Sequence, residues 1–169
     1  MMADHLPDSI SVLIVPTAVG ATPIVLWLED RQHRGVQLLT NFREKTELAR
    51  MHGTIKGVLW HQGESDSNER DIPFYKERLT ELFSRFRKFA GDDQLPVILG
   101  ELGLHDKNAE NRSRINEIIH EYAAEDPRSA VVPTTDLPHL GDSTHFNSEA
   151  LRTMGERFAR TYLNSFVKE

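Results

Sequence analysis

The chain has no cysteine, which excludes disulfide bonds and thiolate chemistry and leaves the compartment unreadable from redox logic. It also has no apolar run close to the ~20 residues that a membrane-crossing helix needs. Basic residues are outnumbered, 20 against 26 acidic, for a formal charge of −6, and no Lys/Arg stripe stands out. Such a surface repels a phosphate backbone on average, which argues against a nucleic-acid partner. Internal repeats, low-complexity tracts and Pro/Gly/Ser linkers are missing too, so residues 1–169 read as a single domain, long enough to bury a core. The opening Met1-Met2-Ala3-Asp4-His5-Leu6-Pro7-Asp8 lacks a basic head and an apolar stretch, so no signal peptide is expected there.

What remains is an ordinary globular composition, 38% hydrophobic and 27% charged. Four short runs are apolar on consecutive positions, as expected for strands covered on both faces. They are Ser11 to Pro16, Gly57 to Trp60, Pro96 to Gly100 and Ala130 to Pro133. Helical patterns lie between them. Tyr75, Leu79, Leu82, Phe83, Phe86 and Phe89 form one stripe, and Ile115, Ile118, Ile119 and Tyr122 a second. A third carries Leu151, Met154, Phe158 and Tyr162 behind Asn147 as N-cap, and a less regular helix spans Leu38 to Met51. Strand and helix thus alternate, the signature of a three-layer α/β domain with a mostly parallel sheet. Ligands of such sheets bind beyond the carboxyl ends of the strands.

One of those ends is crowded with polar groups: Trp60-His61-Gln62-Gly63-Glu64-Ser65-Asp66. Another leads to Asp142 and His145, three residues apart and just before the last helix. A carboxylate at that spacing can hold the Nδ1–H of the imidazole and leave Nε2 as a general base, although a loop carboxylate beside an exposed histidine shows the same spacing. His139, Asp142 and His145, with His61, Glu64 or Asp66, offer a rival reading as zinc ligands, but no known metal signature is matched. No nucleophile is visible. Gly63-Glu64-Ser65 begins like a Gly-x-Ser-x-Gly elbow but lacks the second glycine, so Ser65 reads as a loop residue bonded to its own backbone. Gly20 either lends a backbone N–H to a ligand or simply allows a turn, and Trp27 is either a sugar platform or core.

Three blocks together, "AVGATPIVLW" (18–27), "GVLWHQGESDS" (57–67) and "DSTHF" (142–146), resemble the sialate O-acetylesterase/acetylxylan esterase group of SGNH-type hydrolases. The resemblance implies a flavodoxin-like α/β/α fold and a serine esterase that removes acetyl groups from carbohydrates without metal or organic cofactor. It implies His145 as general base and Asp142 as its partner, with Gln62 and Gly20 as oxyanion-hole donors. Trp60, His61, Gly63 and Glu64 would line the site. That family usually has a second glycine where this chain has Ala21.

The family's nucleophile lies in a Gly-Gln-Ser-Asn motif after its first strand, and the chain has no such motif. The first strand is therefore expected to be missing, with Met1 falling inside what should be a helix of a longer, N-terminally truncated enzyme. In the strand order 2-1-3-4-5 that absence leaves two edges without partners. Three possibilities stay open: a piece of a longer esterase, a second chain that supplies the strand and its serine, or a non-catalytic sugar-binding remnant using Trp27 and Trp60. The acetylated glycan and the oligomeric state are not legible.

Overall fold

Along Val97–Gly100 the side chains alternate between two cores. Val97 and Leu99 point into one, Ile98 into the other, and all three are fully buried. In this computed structural model, which describes residues 2, 6–105, 107–142 and 144–167, that strand is the centre of a three-stranded parallel sheet. The elements run α1 (Ile24–Leu28), β1 (Gln32–His33), β2 (Val36–Gln37), α2 (Leu38–Arg50), β3 (Val58–Trp60), α3 (Ile72–Ala90), β4 (Val97–Gly100), α4 (Ala109–Glu125), β5 (Ser129–Val132) and α5 (Ser148–Phe166). The sheet order is β3-β4-β5, with Val58 opposite Val97 and Val97 opposite Ser129.

The larger core lies on one face, where α1 to α4 bring Trp27, Phe42, Tyr75, Phe83, Phe86 and Ile119 against Trp60, Val97 and Leu99. On the other face α5 lays Ala150, Met154 and Phe158 over Ile98 and Val132. Helix, sheet and helix make the three layers expected of the sequence pattern, and α5 starts at its expected cap, with Ala150 N donating to Asn147 Oδ1 at 2.9 Å. β1 and β2 form a small antiparallel hairpin that the sequence pattern did not indicate. Arg34 and Gly35 both take positive φ, 50° and 82°, as a two-residue primed turn requires.

Ser11 to Pro16 does not become a strand. The segment belongs to no ladder, and Leu13 and Ile14 are 68% and 82% exposed. β-rich composition cannot make a strand without a neighbour to accept its N–H and C=O groups. The neighbour is missing because the sheet stops at β3, where Leu59, opposite Ile98 on the α5 side, is left 62% exposed. Among the described residues, the outer edge of β3 carries no partner strand. The residues read for a signal peptide fall partly outside the described ones, namely Met1, Ala3, Asp4 and His5. So do Ser143 of the third block and Asp106.

Candidate active site

The chain leaves β3 at Trp60 and turns sharply at Gly63, whose φ is +152°. A Cβ there would sit 2.9 Å from Ile115 Cγ2 and 3.0 Å from Leu102 Cδ1, so only glycine fits this turn. The 3₁₀ turn Glu64–Asp66 follows, fixed by Ser67 Oγ donating to Gly63 O at 2.8 Å. The serine bonded to its local backbone is therefore Ser67 and not Ser65, which is exposed and offers only its carbonyl, to Asn68 Nδ2.

The polar block does not all face outward. Trp60 is 7% exposed and packs edge-on against Trp27 and Phe83, so it belongs to the core and does not line a site. The physical reason is the strand's period of two, which puts Val58 and Trp60 on the crowded helical face. Trp27 is equally buried, its Nε1 bonded to Thr22 Oγ1 at 3.0 Å, so neither indole can stack on a sugar. Gly63 is buried as well, and its part is to shape the loop. His61 and Glu64 remain partly exposed, and His61 Nε2 lies 3.0 Å from Glu101 O at the end of β4.

Gln62 is engaged at both ends of its side-chain amide and at its carbonyl. Its Nε2 donates to Thr22 O at 2.9 Å and to Asp66 Oδ2 at 2.6 Å, and Tyr75 Oη approaches Oε1 at 3.3 Å while donating to Gln62 O at 2.7 Å. Thr22 closes the turn that begins at Gly20, with its hydroxyl donating to Val19 O at 2.9 Å. In that turn the left-handed residue is Ala21, at φ 60°, while Gly20 is exposed and lies near Arg34.

The Asp142–His145 pair sits at the tip of a hairpin after β5. A bridge between His139 and Phe146 closes it, supported by Leu140 N donating to His145 O at 2.6 Å. Asp142 Oδ1 accepts the N–H groups of Thr144 and His145 at 3.0 and 2.8 Å, and Oδ2 lies 2.6 Å from His145 Nδ1. The bond with His145, helped by those backbone donors, holds the Asp142 carboxyl well below the usual carboxylate range. With Nδ1 engaged, the 75% exposed imidazole presents Nε2 to solvent, as a general base would. Phe146 carries the hairpin to the other block, its ring centroid 5.7 Å from that of His61.

As metal ligands these residues fit poorly. His139 Nδ1 accepts from Gly141 N at 2.9 Å, Asp142 is engaged with His145, and among the described residues no group of three or more His, Asp or Glu converges as a metal site. No helix among them is long and apolar enough to cross a membrane. No serine among them bonds the imidazole. The contacts of Asp66 with Ile24, of Tyr75 with Gln62 and of Thr22 with Gln62 were not legible in the sequence, because they span 42, 13 and 40 residues.

Comparison with known proteins decides the family. The model for "carbohydrate esterase, sialic acid-specific acetylesterase" matches residues 1–164. The chain belongs to this carbohydrate esterase family. A probable carbohydrate esterase of Arabidopsis thaliana is 29% identical over 167 residues, covering 94% of this chain. An X-ray structure of an Arabidopsis thaliana protein superposes with a TM-score of 0.83 at 27% identity, over 98% of this chain and 66% of that one. A carbohydrate acetylesterase from Xanthomonas citri shares the fold, with a TM-score of 0.62 at 18% identity over 78% of this chain and 28% of its own. This carbohydrate esterase chain spans only 58% of the length of the curated Arabidopsis relative.

Proposed function

We propose that these 169 residues form one SGNH-type domain that supplies the base and the oxyanion cradle of a serine acetylesterase acting on O-acetylated carbohydrate. The nucleophile comes from outside them, on a strand that pairs with the open edge of β3, either in a longer form of the chain or on a second one. The observation that carries this reading is the Asp142–His145 contact of 2.6 Å at the carboxyl end of a sheet whose β3 edge has no partner strand among the described residues.

In the completed site the serine hydroxyl attacks the acetyl carbonyl carbon as His145 Nε2 takes its proton. Asp142 stabilises the imidazolium through Nδ1. The negative charge that develops on the carbonyl oxygen rests on the Gly20 N–H and the Gln62 amide, donors of a kind whose loss typically costs ~10²–10³ in rate. His145 then gives its proton to the leaving sugar oxygen. A water molecule, deprotonated by the same ring, hydrolyses the acetyl-enzyme to acetate and free serine. For Gln62 to serve, one of its amide hydrogens must leave Thr22 O for the substrate oxygen.

Absence of a triad nucleophile costs ~10⁶ in kcat. The 169-residue chain alone is therefore expected to release acetate from O-acetylated xylan or sialoside at a rate near background. Joining it to a family strand bearing Gly-Gln-Ser-Asn should restore turnover, and His145→Ala should abolish it again. A restored chain that stays inactive, or that keeps near wild-type turnover after His145→Ala, contradicts the reading.

A further inference from the structure

The polar contacts around Gln62 assign a role to an acid that the mechanism does not use. This step rests on the oxyanion assignments just given and extends them. We infer that Asp66 is the positioning residue that locks the Gln62 amide and the Gly20 turn into one fixed relation, through a single carboxylate oxygen.

Asp66 is completely buried. Its Oδ2 accepts from Gln62 Nε2 at 2.6 Å and also from Ile24 N at 2.9 Å. Ile24 opens α1 directly after Gly20-Ala21-Thr22-Pro23, so this oxygen ties the turn to the end of β3 across 42 residues of chain. The two ends of a primary amide are nearly the same shape, and only their partners decide which one faces a ligand. An ionised carboxylate accepts only, so it selects the NH₂ end of Gln62 on its side. Tyr75 Oη lies 3.3 Å from Oε1, but its one hydrogen goes to Gln62 O at 2.7 Å, so the choice of end rests on the acceptors around Nε2. Thr22 O takes the remaining hydrogen. With the amide reversed, Oε1 would confront the forming oxyanion and repel it.

The placement is costly, which argues that it is more than filler. Asp66 Oδ1 makes no hydrogen bond and faces Arg78 Nη1 across 3.8 Å. Burying a carboxylate with half its acceptor capacity unused is unfavourable. Burial pushes the Asp66 carboxyl above its usual range, against the bonds from Gln62 and Ile24 N that pull it down. The charged and titratable groups that act on it are Asp71 at the start of α3, Arg78 and Tyr75 on that helix, and Arg70 just before it, while Glu64 on its own turn acts on Tyr75.

The test is a nuclear magnetic resonance titration of the isotope-labelled 169-residue chain from about pH 7 to about pH 3, spanning the carboxylate range. It follows the Asp66 carboxyl carbon, the Gln62 side-chain amide and the Ile24 amide. All three should report one shared midpoint above the ordinary aspartate range. The two Gln62 amide hydrogens, inequivalent and slow to exchange at neutral pH, should lose that protection below it. In Asp66→Asn, the Ile24 amide should exchange about tenfold faster at neutral pH, as a charge-assisted bond becomes a neutral one. If Gln62 and Ile24 stay still while Asp66 titrates, or keep wild-type exchange in Asp66→Asn, the inference is overturned. Should that variant not fold, the wild-type titration decides alone. A general loss of stability would lower the melting temperature without singling out the Gln62 amide. No readout needs turnover, so an esterase that cannot be restored would leave this result standing, and the reverse also holds.

Discussion

Asp142 Oδ2 meets His145 Nδ1 at 2.6 Å while its other oxygen takes the His145 backbone N–H at 2.8 Å, so one carboxylate fixes both the ring and the residue that bears it. The pair is held within four residues of a single hairpin, and it forms whether or not the rest of the site is complete. In a chain joined to a serine-bearing strand, Asp142→Asn should lower kcat by ~10⁴, because the wrong tautomer is held in the right place. KM should stay within about twofold, since uniform binding is untouched. A loss under tenfold would remove Asp142 from the mechanism.

Ala21 occupies the left-handed region at φ 60°. That conformation costs a residue with a Cβ roughly 1–2 kcal/mol. Glycine avoids this cost but gives up about 0.5–1 kcal/mol to a freer unfolded chain. Ala21→Gly should therefore raise stability by about 0.5 kcal/mol, seen as a melting temperature higher by about 2 °C. A lower melting temperature would mean that the turn is not held as described.

The opposite change at Gly63 should be damaging. A methyl group there meets Ile115, Leu102 and Tyr75 Oη at 2.9 to 3.2 Å, on a backbone at φ +152°. Strain and overpacking together should cost about 3 kcal/mol, or roughly 10 °C in melting temperature. Calorimetry of Gly63→Ala measures this directly, and a shift under about 2 °C would contradict the packing.

Asp71 and Asp66 should bend the acid stability profile in opposite senses. Hydrogen bonds from Arg70, with further ones from Arg78 and Asn68, lower the Asp71 carboxyl from its ordinary value to about 2. Its folded-state value lies below the unfolded one, so its contribution is present above about pH 4 and is lost as the pH falls through about 2. Asp66, raised by burial, instead gains folding free energy as the pH falls through its folded-state value toward the unfolded one. Denaturant midpoints against pH should show Asp71→Asn less stable than wild type at neutral pH, with the gap closing between about pH 4 and 2. A gap that does not depend on pH would contradict the assignment.

Much of the fold was legible in the sequence, because β4 and β5 are short apolar runs covered on both faces and α3 to α5 carry single apolar stripes. Ser11 to Pro16 has the same composition yet stays out of the sheet, since pairing depends on a neighbour and not on the residues alone. The hairpin of β1 and β2 escaped notice because each strand is only two residues long. Within the site, Asp142 and His145 were readable because their contact is local. Trp60 was misplaced because a motif lists residues in order, whereas the strand sends alternate ones to opposite faces. Asp66 was legible only as one acid of the polar block, not as a buried one. Its burial is created by Ile24 and Gln62 converging on it, and an exposed acid after a turn looks the same in sequence.

The most direct test of the account is covalent labelling with a fluorophosphonate, read by intact mass. The 169-residue chain alone should take up no label. The same chain with the serine-bearing strand restored should take up one per molecule, and should lose it in His145→Ala. One adduct on the 169-residue chain alone, mapped to one of its own serines such as Ser65, would show that an activated nucleophile already lies within it and would contradict the account.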